Sequence, residues 1–218
     1  MQYKLLNNDA TRKAINILMK SYPNAHYYLN FKTDVELMVA AIISAQTKDQ
    51  VVNLLTPELF KRYKTLNDYA NADENGLAGY ISKVSFSGAK AKNIIKACKA
   101  IVAIHGSKIP RNIEELTELP GIGRKTANTI LINAYGIVEG IPVDTWVIKL
   151  SGRIGLSKSD DPEDIETDLM QTVDKKAWGR VAYVLKAHGK AICRSPAPIC
   201  SKCMINTLCQ RNGITESK

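Results

Sequence analysis

The chain has 218 residues, with 30 Lys or Arg against 21 Asp or Glu, which gives a formal net charge of +9. This length can bury a substantial core as one domain or two lobes, and the basic balance favours a polyanionic partner. The absence of a membrane-length apolar run and of a signal-peptide core predicts a cytoplasmic protein, nucleoid-associated in a prokaryote, and excludes a membrane partner.

The positive charge is unevenly distributed. The stretch between Glu74 and Glu114 has no acidic residue, and acidic residues concentrate instead at 160–168, which we place away from the partner. The basic residues of the first stretch are Lys83, Lys90, Lys92, Lys96, Lys99, Lys108 and Arg111.

Helical periodicity runs through the chain in order. Asn8 or Asp9 can cap a first helix. Cys98 lies on the apolar face of the amphipathic helix at 89–104, which predicts that its thiol is buried. Helices are predicted from about residue 10, at 34–44, 51–59, 66–70, 73–81, 89–104, 144–152, 162–173 and 178–188. No stretch alternates with period two, so the predicted fold class is all-α.

The segment Leu-Pro-Gly-Ile-Gly-Arg-Lys-Thr-Ala at residues 119–127 has the pattern of a tight hairpin between two helices. Asn112 caps the first helix and Pro120 ends it, while Gly121 and Gly123 supply the backbone freedom that the hairpin needs. A Gly-x-Gly pair alone most often marks only a turn. The proline, the basic pair that follows and the basic chain favour a functional hairpin here.

Backbone N–H groups of the hairpin and of the next helical turn would form an anion site, which, with Arg124 and Lys125 on that turn, we assign to a nucleic-acid phosphate. The residues of this DNA-binding site are Gly121, Ile122, Gly123 and Arg124. The segment resembles the helix-hairpin-helix motif of DNA repair glycosylases, and Lys125 makes it similar to the endonuclease III branch.

The resemblance covers nearly the whole chain and implies a two-lobe architecture around a DNA-binding cleft. It predicts a six-helix domain over 28–136, with the helix-hairpin-helix at 112–134. Residues 1–27 and 137–218 would form the second domain, with a metal loop at 193–209. The implied partner is double-stranded DNA with damaged bases or abasic sites, bound by a monomer.

The resemblance assigns catalysis to two residues. The Lys125 amine would attack the sugar C1′ as the base leaves, giving a Schiff base from which β-elimination breaks the strand. Asp144 would assist activation of the lysine and loss of the base. The alternative for Asp144 is that it only caps a helix, as an Asp at an N-cap most often does, and the alternative for Lys125 is a phosphate contact or a solvated surface lysine. Trp146 stands where the family usually has a histidine, which leaves the substrate range open.

Two loop residues resemble family residues that enter the duplex. Gln46 would fill the space that the damaged nucleotide leaves, and Phe86 would act as a wedge between bases. The alternatives are an ordinary polar residue at a helix end for Gln46 and a side chain tucked into the core for Phe86.

Four cysteines follow the spacing Cys-x6-Cys-x2-Cys-x5-Cys near the C-terminus: Cys193, Cys200, Cys203 and Cys209. Four thiolates in so short a span can hold one zinc ion or one [4Fe–4S] cluster, and spacing alone does not separate the two. Disulfides are disfavoured in a reducing compartment. The resemblance favours a structural [4Fe–4S] cluster, with Arg194 and Lys202 of its loop touching DNA phosphate.

The resemblance implies a base excision repair glycosylase with AP-lyase activity, and we expect its substrates to be damaged pyrimidines, oxidised ones among them. The alternatives are a monofunctional mismatch glycosylase and a non-catalytic DNA-binding module that contains a metal. His26, His105 and His188 match no catalytic pattern, so we expect structural or surface roles for them.

Overall fold

The structure is a computed structural model that describes residues 3–218. Within this range it contains α-helices and short helical turns but no strand, which confirms the all-α prediction. The helices are α1 (Asn8–Ser21), α2 (Asp34–Ile43), α3 (Asp49–Arg62), α4 (Leu66–Ala70), α5 (Glu74–Tyr80), α6 (Ser87–Ile104), α7 (Ile113–Thr117), α8 (Arg124–Ile130), α9 (Thr145–Ile154), α10 (Pro162–Thr172) and α11 (Trp178–Ala191). None of these helices has the length and apolar character needed to cross a bilayer.

Side-chain caps begin several helices where the sequence indicates. The Asn112 side chain accepts a hydrogen bond of 2.8 Å from the amide three residues later and so caps α7. The cap of α1 was predicted one or two residues too late: it is Asn7, whose side chain accepts from the Ala10 amide at 2.8 Å. Asn7 has the extended backbone of an N-cap, whereas Asn8 and Asp9 are already helical.

The chain divides into two compact units. The hairpin unit is Tyr28–Glu139 and contains α2 to α8. The cysteine unit comprises the described residues up to Tyr27 together with Gly140–Lys218, and it contains α1 and α9 to α11.

Helix α6 is central to the hairpin unit, where it packs against α2, α4 and α5. Its inward face carries fully buried apolar side chains, among them Ile94, Ile101 and Cys98. The predicted burial of Cys98 is confirmed, and this burial raises the pKa of its thiol to about 12. The helix begins two residues earlier than its periodicity indicates, at Ser87, directly after Phe86.

The cysteine unit is built around a core to which all four of its α-helices contribute. Members of this core are Ile15 and Leu18 of α1, Val147 and Leu150 of α9, Ile165 and Leu169 of α10, and Val181 and Leu185 of α11. Cys193 and Ile205 belong to the same core, so the cysteine-containing segment is attached to it at two points.

Candidate active site and metal centre

The two glycines of the hairpin have different structural roles. Gly121 has a φ of +81°, and a Cβ built on it would lie 2.9 Å from Cβ of Asn93 on α6, so glycine is required. Gly123 is the N-cap of α8 with an extended φ of −93°, and nothing lies within 4 Å of its Cβ position. The prediction that Gly123 supplies unusual backbone freedom is wrong, because any residue adopts this conformation.

Of the residues that flank Gly123, Ile122 is buried and Arg124 is exposed. Ile122 has its side chain buried, and its amide donates to the carbonyl oxygen of Leu119 at 3.1 Å. This residue therefore anchors the hairpin to the core. Arg124, by contrast, is exposed on the first turn of α8.

Lys125 follows on the same turn and is half-buried. Its backbone is well fixed, because the carbonyl oxygen accepts a hydrogen bond of 2.8 Å from the Thr129 hydroxyl. Ala127 and Ile130 on the inner side of α8 are fully buried. The helix thus presents the lysine from a rigid base.

Asp144 lies in the cysteine unit as the N-cap of α9. Its Oδ1 accepts hydrogen bonds from the amides of Trp146 and Val147 at 2.9 and 3.0 Å. Its Oδ2 lies 3.8 Å from Nζ of Lys186 on α11, and only 23% of the Asp144 side chain and 15% of the Lys186 side chain are exposed. One oxygen therefore caps the helix while the other faces an ammonium group.

Trp146 is accommodated by packing within the cysteine unit. Its ring lies against Gly189 of α11 so closely that a Cβ there would be 2.4 Å from the indole Cε3. Nζ of Lys149 lies 4.5 Å from the ring centroid on the same residue, a cation–π geometry. The glycine makes room for the bulky ring.

Gln46 and Phe86 are exposed residues of the hairpin unit with left-handed backbone, at φ of +53° and +58°. The Phe86 side chain is 68% exposed, so the alternative that it is tucked into the core is wrong. A left-handed conformation costs a side-chain-bearing residue about 1–2 kcal/mol. Strain of this kind concentrates at functional sites, so it supports a functional role for both loops.

Lys90 is buried, although the sequence placed it among the basic residues of an exposed, positively charged stretch. Only 6% of it is exposed, and its Nζ donates hydrogen bonds to the carbonyl oxygens of Ile43 and Ala45 and to the Thr47 hydroxyl. Desolvation lowers the pKa of this lysine. Lys90 is a buried structural cation and not part of the exposed basic surface.

All four C-terminal cysteines line one pocket, as the spacing leads one to expect of a shared site. Burial raises the pKa of the Cys193 and Cys203 thiols and raises that of Cys209 to about 11, so thiolates at this depth need a bound cation. Among residues 3–218, no three Cys, His, Asp or Glu side chains are placed to hold a single metal ion.

Two side chains support this pocket. Arg153 of α9 donates to the carbonyl oxygen of Cys193 at 2.9 Å, and its guanidinium lies 3.7 Å from the Cys193 sulfur. His188 is buried, with Nδ1 3.0 Å from the Tyr22 hydroxyl and Nε2 3.6 Å from the Cys203 sulfur. Burial lowers the pKa of His188 to about 4, so the ring is neutral at pH 7. Arg194 and Lys202 are exposed beside the pocket.

Comparison with known proteins agrees with this arrangement. The model of the HhH-GPD superfamily of base excision DNA repair proteins matches residues 39–175, which is more than half of the chain. Endonuclease III of Synechocystis sp. is 43% identical over 193 residues, covering 88% of each chain. Endonuclease III of Rickettsia conorii is 38% identical over 209 residues, covering 96% of this chain and 97% of the relative.

The chain belongs to the endonuclease III family. Its fold also matches that of a trapped endonuclease III–DNA covalent intermediate, an estranged-adenine complex, with a TM-score of 0.91 and 32% identity. That match covers 95% of this chain and 97% of the other. The family resemblance predicted from the hairpin and the cysteines is confirmed.

The sequence did not predict several polar residues that lie beside the candidate site residues. Lys186 beside Asp144, and Arg153 and Tyr22 near the cysteines, were not anticipated. Each meets its partner across a separation of more than 35 residues, so no local spacing pattern signals the contact.

Proposed function

We propose that this protein is a bifunctional DNA glycosylase and AP lyase that removes damaged pyrimidines, oxidised ones among them, from double-stranded DNA. The observation that carries the proposal is Lys125, which directly follows the glycine hairpin in a member of the endonuclease III family. The fold match to a trapped covalent protein–DNA intermediate supports a reaction through a covalent bond to the enzyme.

The hairpin would bind a backbone phosphate beside the lesion. Gly123 carries no side chain over the first turn of α8, and the space around its Cβ position is open, so a phosphate can approach the backbone closely. Arg124 is exposed next to it and would add charge. Ile122 would contribute by fixing the hairpin from below, while Gly121 allows the turn.

Lys125 would supply the nucleophile. Its neutral amine forms a bond to C1′ of the sugar while the bond from C1′ to the base nitrogen breaks, and the base leaves with that electron pair and takes up a proton. The C1′–O4′ bond then breaks as the Lys125 nitrogen, having lost a proton, forms an imine to C1′, and O4′ takes up a proton. Loss of a proton from C2′ then expels the 3′ phosphate with the electrons of the C3′–O bond, and the strand is cut.

Asp144 would favour departure of the base. Two backbone amides donate to one of its oxygens and Lys186 faces the other, so the carboxylate is held in place where its charge can stabilise positive charge that develops on the sugar. The capping and catalytic functions are compatible, because they use different oxygens.

Gln46 and Phe86 would hold the duplex open when the damaged nucleotide swings out. Unstacking a base costs roughly a few kcal/mol, and less for a lesion that already stacks poorly. The Phe86 ring, exposed at the start of α6, suits an apolar wedge, and the exposed Gln46 amide can hydrogen-bond to base edges.

Cys193, Cys200, Cys203 and Cys209 would hold a [4Fe–4S] cluster. Four thiols around one pocket can hold zinc or an iron–sulfur cluster, and membership of the endonuclease III family favours the cluster. When bound, the cluster would supply a cross-link that fixes the loop between the cysteines. Arg194 and Lys202 on this loop would then contact phosphate.

Cleavage of a duplex that contains one abasic site tests the lyase. Lys125→Ala should lose strand cleavage and still bind the duplex. The control Arg124→Ala should bind the duplex more weakly but still cleave it when the enzyme is saturated with DNA. Undiminished cleavage by Lys125→Ala would overturn the assignment. Base release from a damaged duplex without strand cleavage by the wild type would favour a monofunctional glycosylase instead.

Metal analysis of the purified protein tests the cluster separately. Iron and acid-labile sulfide, with broad absorption near ~400 nm, are expected. Stoichiometric zinc without iron would contradict the cluster and favour the zinc alternative.

A further inference from the structure

The strained loops of Gln46 and Phe86 need something to hold them in place. Gln46 lies in the connection between α2 and α3, and Phe86 is the N-cap of α6 without a side-chain capping bond. Both side chains are exposed, so neither loop is held by burial of the residue that has the unusual backbone.

One buried side chain bonds to the residues around Gln46. The Lys90 Nζ donates to the carbonyl oxygen of Ile43 at 2.7 Å, to that of Ala45 at 2.6 Å and to the Thr47 hydroxyl at 3.0 Å. Gln46 stands between the second and third of these acceptors. The three hydrogens of an ammonium group are thereby all used.

The same lysine is also joined to Phe86. Its backbone amide donates to the Phe86 carbonyl oxygen at 3.0 Å in the first turn of α6. Asn93 lies three positions after Lys90, so these two residues are neighbours on one side of α6. Asn93 is the residue against which Gly121 of the hairpin packs.

The charge of Lys90 has a local explanation. Ile43 ends α2, and the last carbonyl oxygens of a helix have no partner within it and carry partial negative charge. An ammonium group satisfies them better than a neutral side chain. Methionine, with similar length and no donor, would leave these carbonyls without the bond.

We propose that Lys90 is a positioning residue for the opening of the duplex. It fixes the Gln46 loop relative to Phe86, so that the amide and the ring enter the DNA together when the damaged nucleotide leaves. The inference rests on the proposed function and deepens it, since it names the residue that sets the geometry of the two inserting side chains.

Borohydride trapping on two abasic substrates tests the proposal. A duplex must be opened before the sugar reaches the enzyme, whereas a single strand needs no opening. We expect Lys90→Met to lower the trapping rate on the duplex about tenfold while the single-strand rate stays near wild type. A general loss of structure would lower both rates together.

Two further variants separate positioning from folding. Lys90→Arg keeps the cation and should recover part of the duplex rate. In a Gln46→Ala background, Lys90→Met should have little further effect on the ratio of duplex to single-strand rates, because the loop no longer carries the inserting amide.

The outcomes distinguish the two proposals. Suppose that the wild type traps both substrates and that Lys90→Met leaves the ratio of the duplex rate to the single-strand rate at its wild-type value. The role of Lys90 is then overturned and the lyase stands. If the wild type binds DNA but traps neither substrate, the proposed lyase is overturned and the role of Lys90 with it.

Discussion

At the scale of single residues, Asp144 shows how a capping position can also serve chemistry. Its Oδ1 accepts from two amides at the start of α9, and its Oδ2 faces Lys186. The sequence predicted both the cap and the catalytic assignment, but it could not predict Lys186, which approaches from another helix. The two functions can be separated by substitution because only one of them needs a charge.

Asp144→Asn is expected to keep the fold and lose activity. Asparagine caps a helix about as well as aspartate, so the free energy of unfolding should fall only through loss of the pairing with Lys186, while base release should fall because the negative charge is gone. Asp144→Ala should lose activity and also about 1 kcal/mol of stability. Urea unfolding and single-turnover base release measure the two effects; equal destabilisation by both variants would contradict this account.

The hairpin glycines make a matched pair. Gly121→Ala should destabilise the protein by at least about 1 kcal/mol, because φ is +81° and the new Cβ would meet Asn93. Gly123→Ala should cost less stability than Gly121→Ala, because alanine adopts this extended N-cap backbone without strain although it caps a helix less well than glycine. It should also lower DNA affinity, because its methyl group would occupy the proposed approach of a phosphate. Urea unfolding and fluorescence anisotropy distinguish them, and similar stability losses in both variants would be the contrary result.

At the scale of elements, the end of α9 supports the proposed cluster loop at both ends. The Arg153 guanidinium holds Cys193, and directly after Cys209 the amide of Gln210 donates to the Ile154 carbonyl oxygen at 3.1 Å. The four-cysteine spacing predicted a shared site, and the structure adds the helix to which that site is fastened.

Arg153→Gln is therefore expected to weaken retention of the cluster. It removes a hydrogen bond and a positive charge close to the Cys193 sulfur, so absorbance near ~400 nm should decay faster in the presence of an iron chelator. Arg12→Gln, on the exposed side of α1 in the same unit, is the control. Equal decay rates for the two variants would count against a supporting role for Arg153.

What the sequence predicts about the elements depends on the range of the interaction. Helical periodicity and caps are local, so the helix pattern and the caps at Asn112 and Asp144 were predicted correctly. The backbone of Gly123 and the burial of Lys90 were not, whereas the exposure of Phe86 agrees with the wedge prediction. Lys90 has its acceptors more than 40 residues earlier in the chain, and local charge pattern alone gave it the appearance of a surface residue.

At the scale of the whole molecule, the net charge of +9 suits a protein that docks on DNA phosphates. Affinity for duplex DNA should fall steeply with salt, by about 10³- to 10⁵-fold between 50 and 200 mM if six to ten phosphates are contacted. Fluorescence anisotropy measures this, and Arg124→Ala should reduce the slope of log K against log salt by about one. Binding that is insensitive to salt would exclude phosphate docking.

The central claim is that Lys125 forms a covalent bond to the sugar, and borohydride trapping followed by peptide mass analysis tests it most directly. Reduction during turnover on an abasic duplex should give a protein–DNA adduct that maps to Lys125, and Lys125→Ala should give none. An adduct that persists in the variant, or that maps to another amine such as Lys186, would contradict the assignment. No adduct at all from a wild type that binds DNA would contradict the lyase itself.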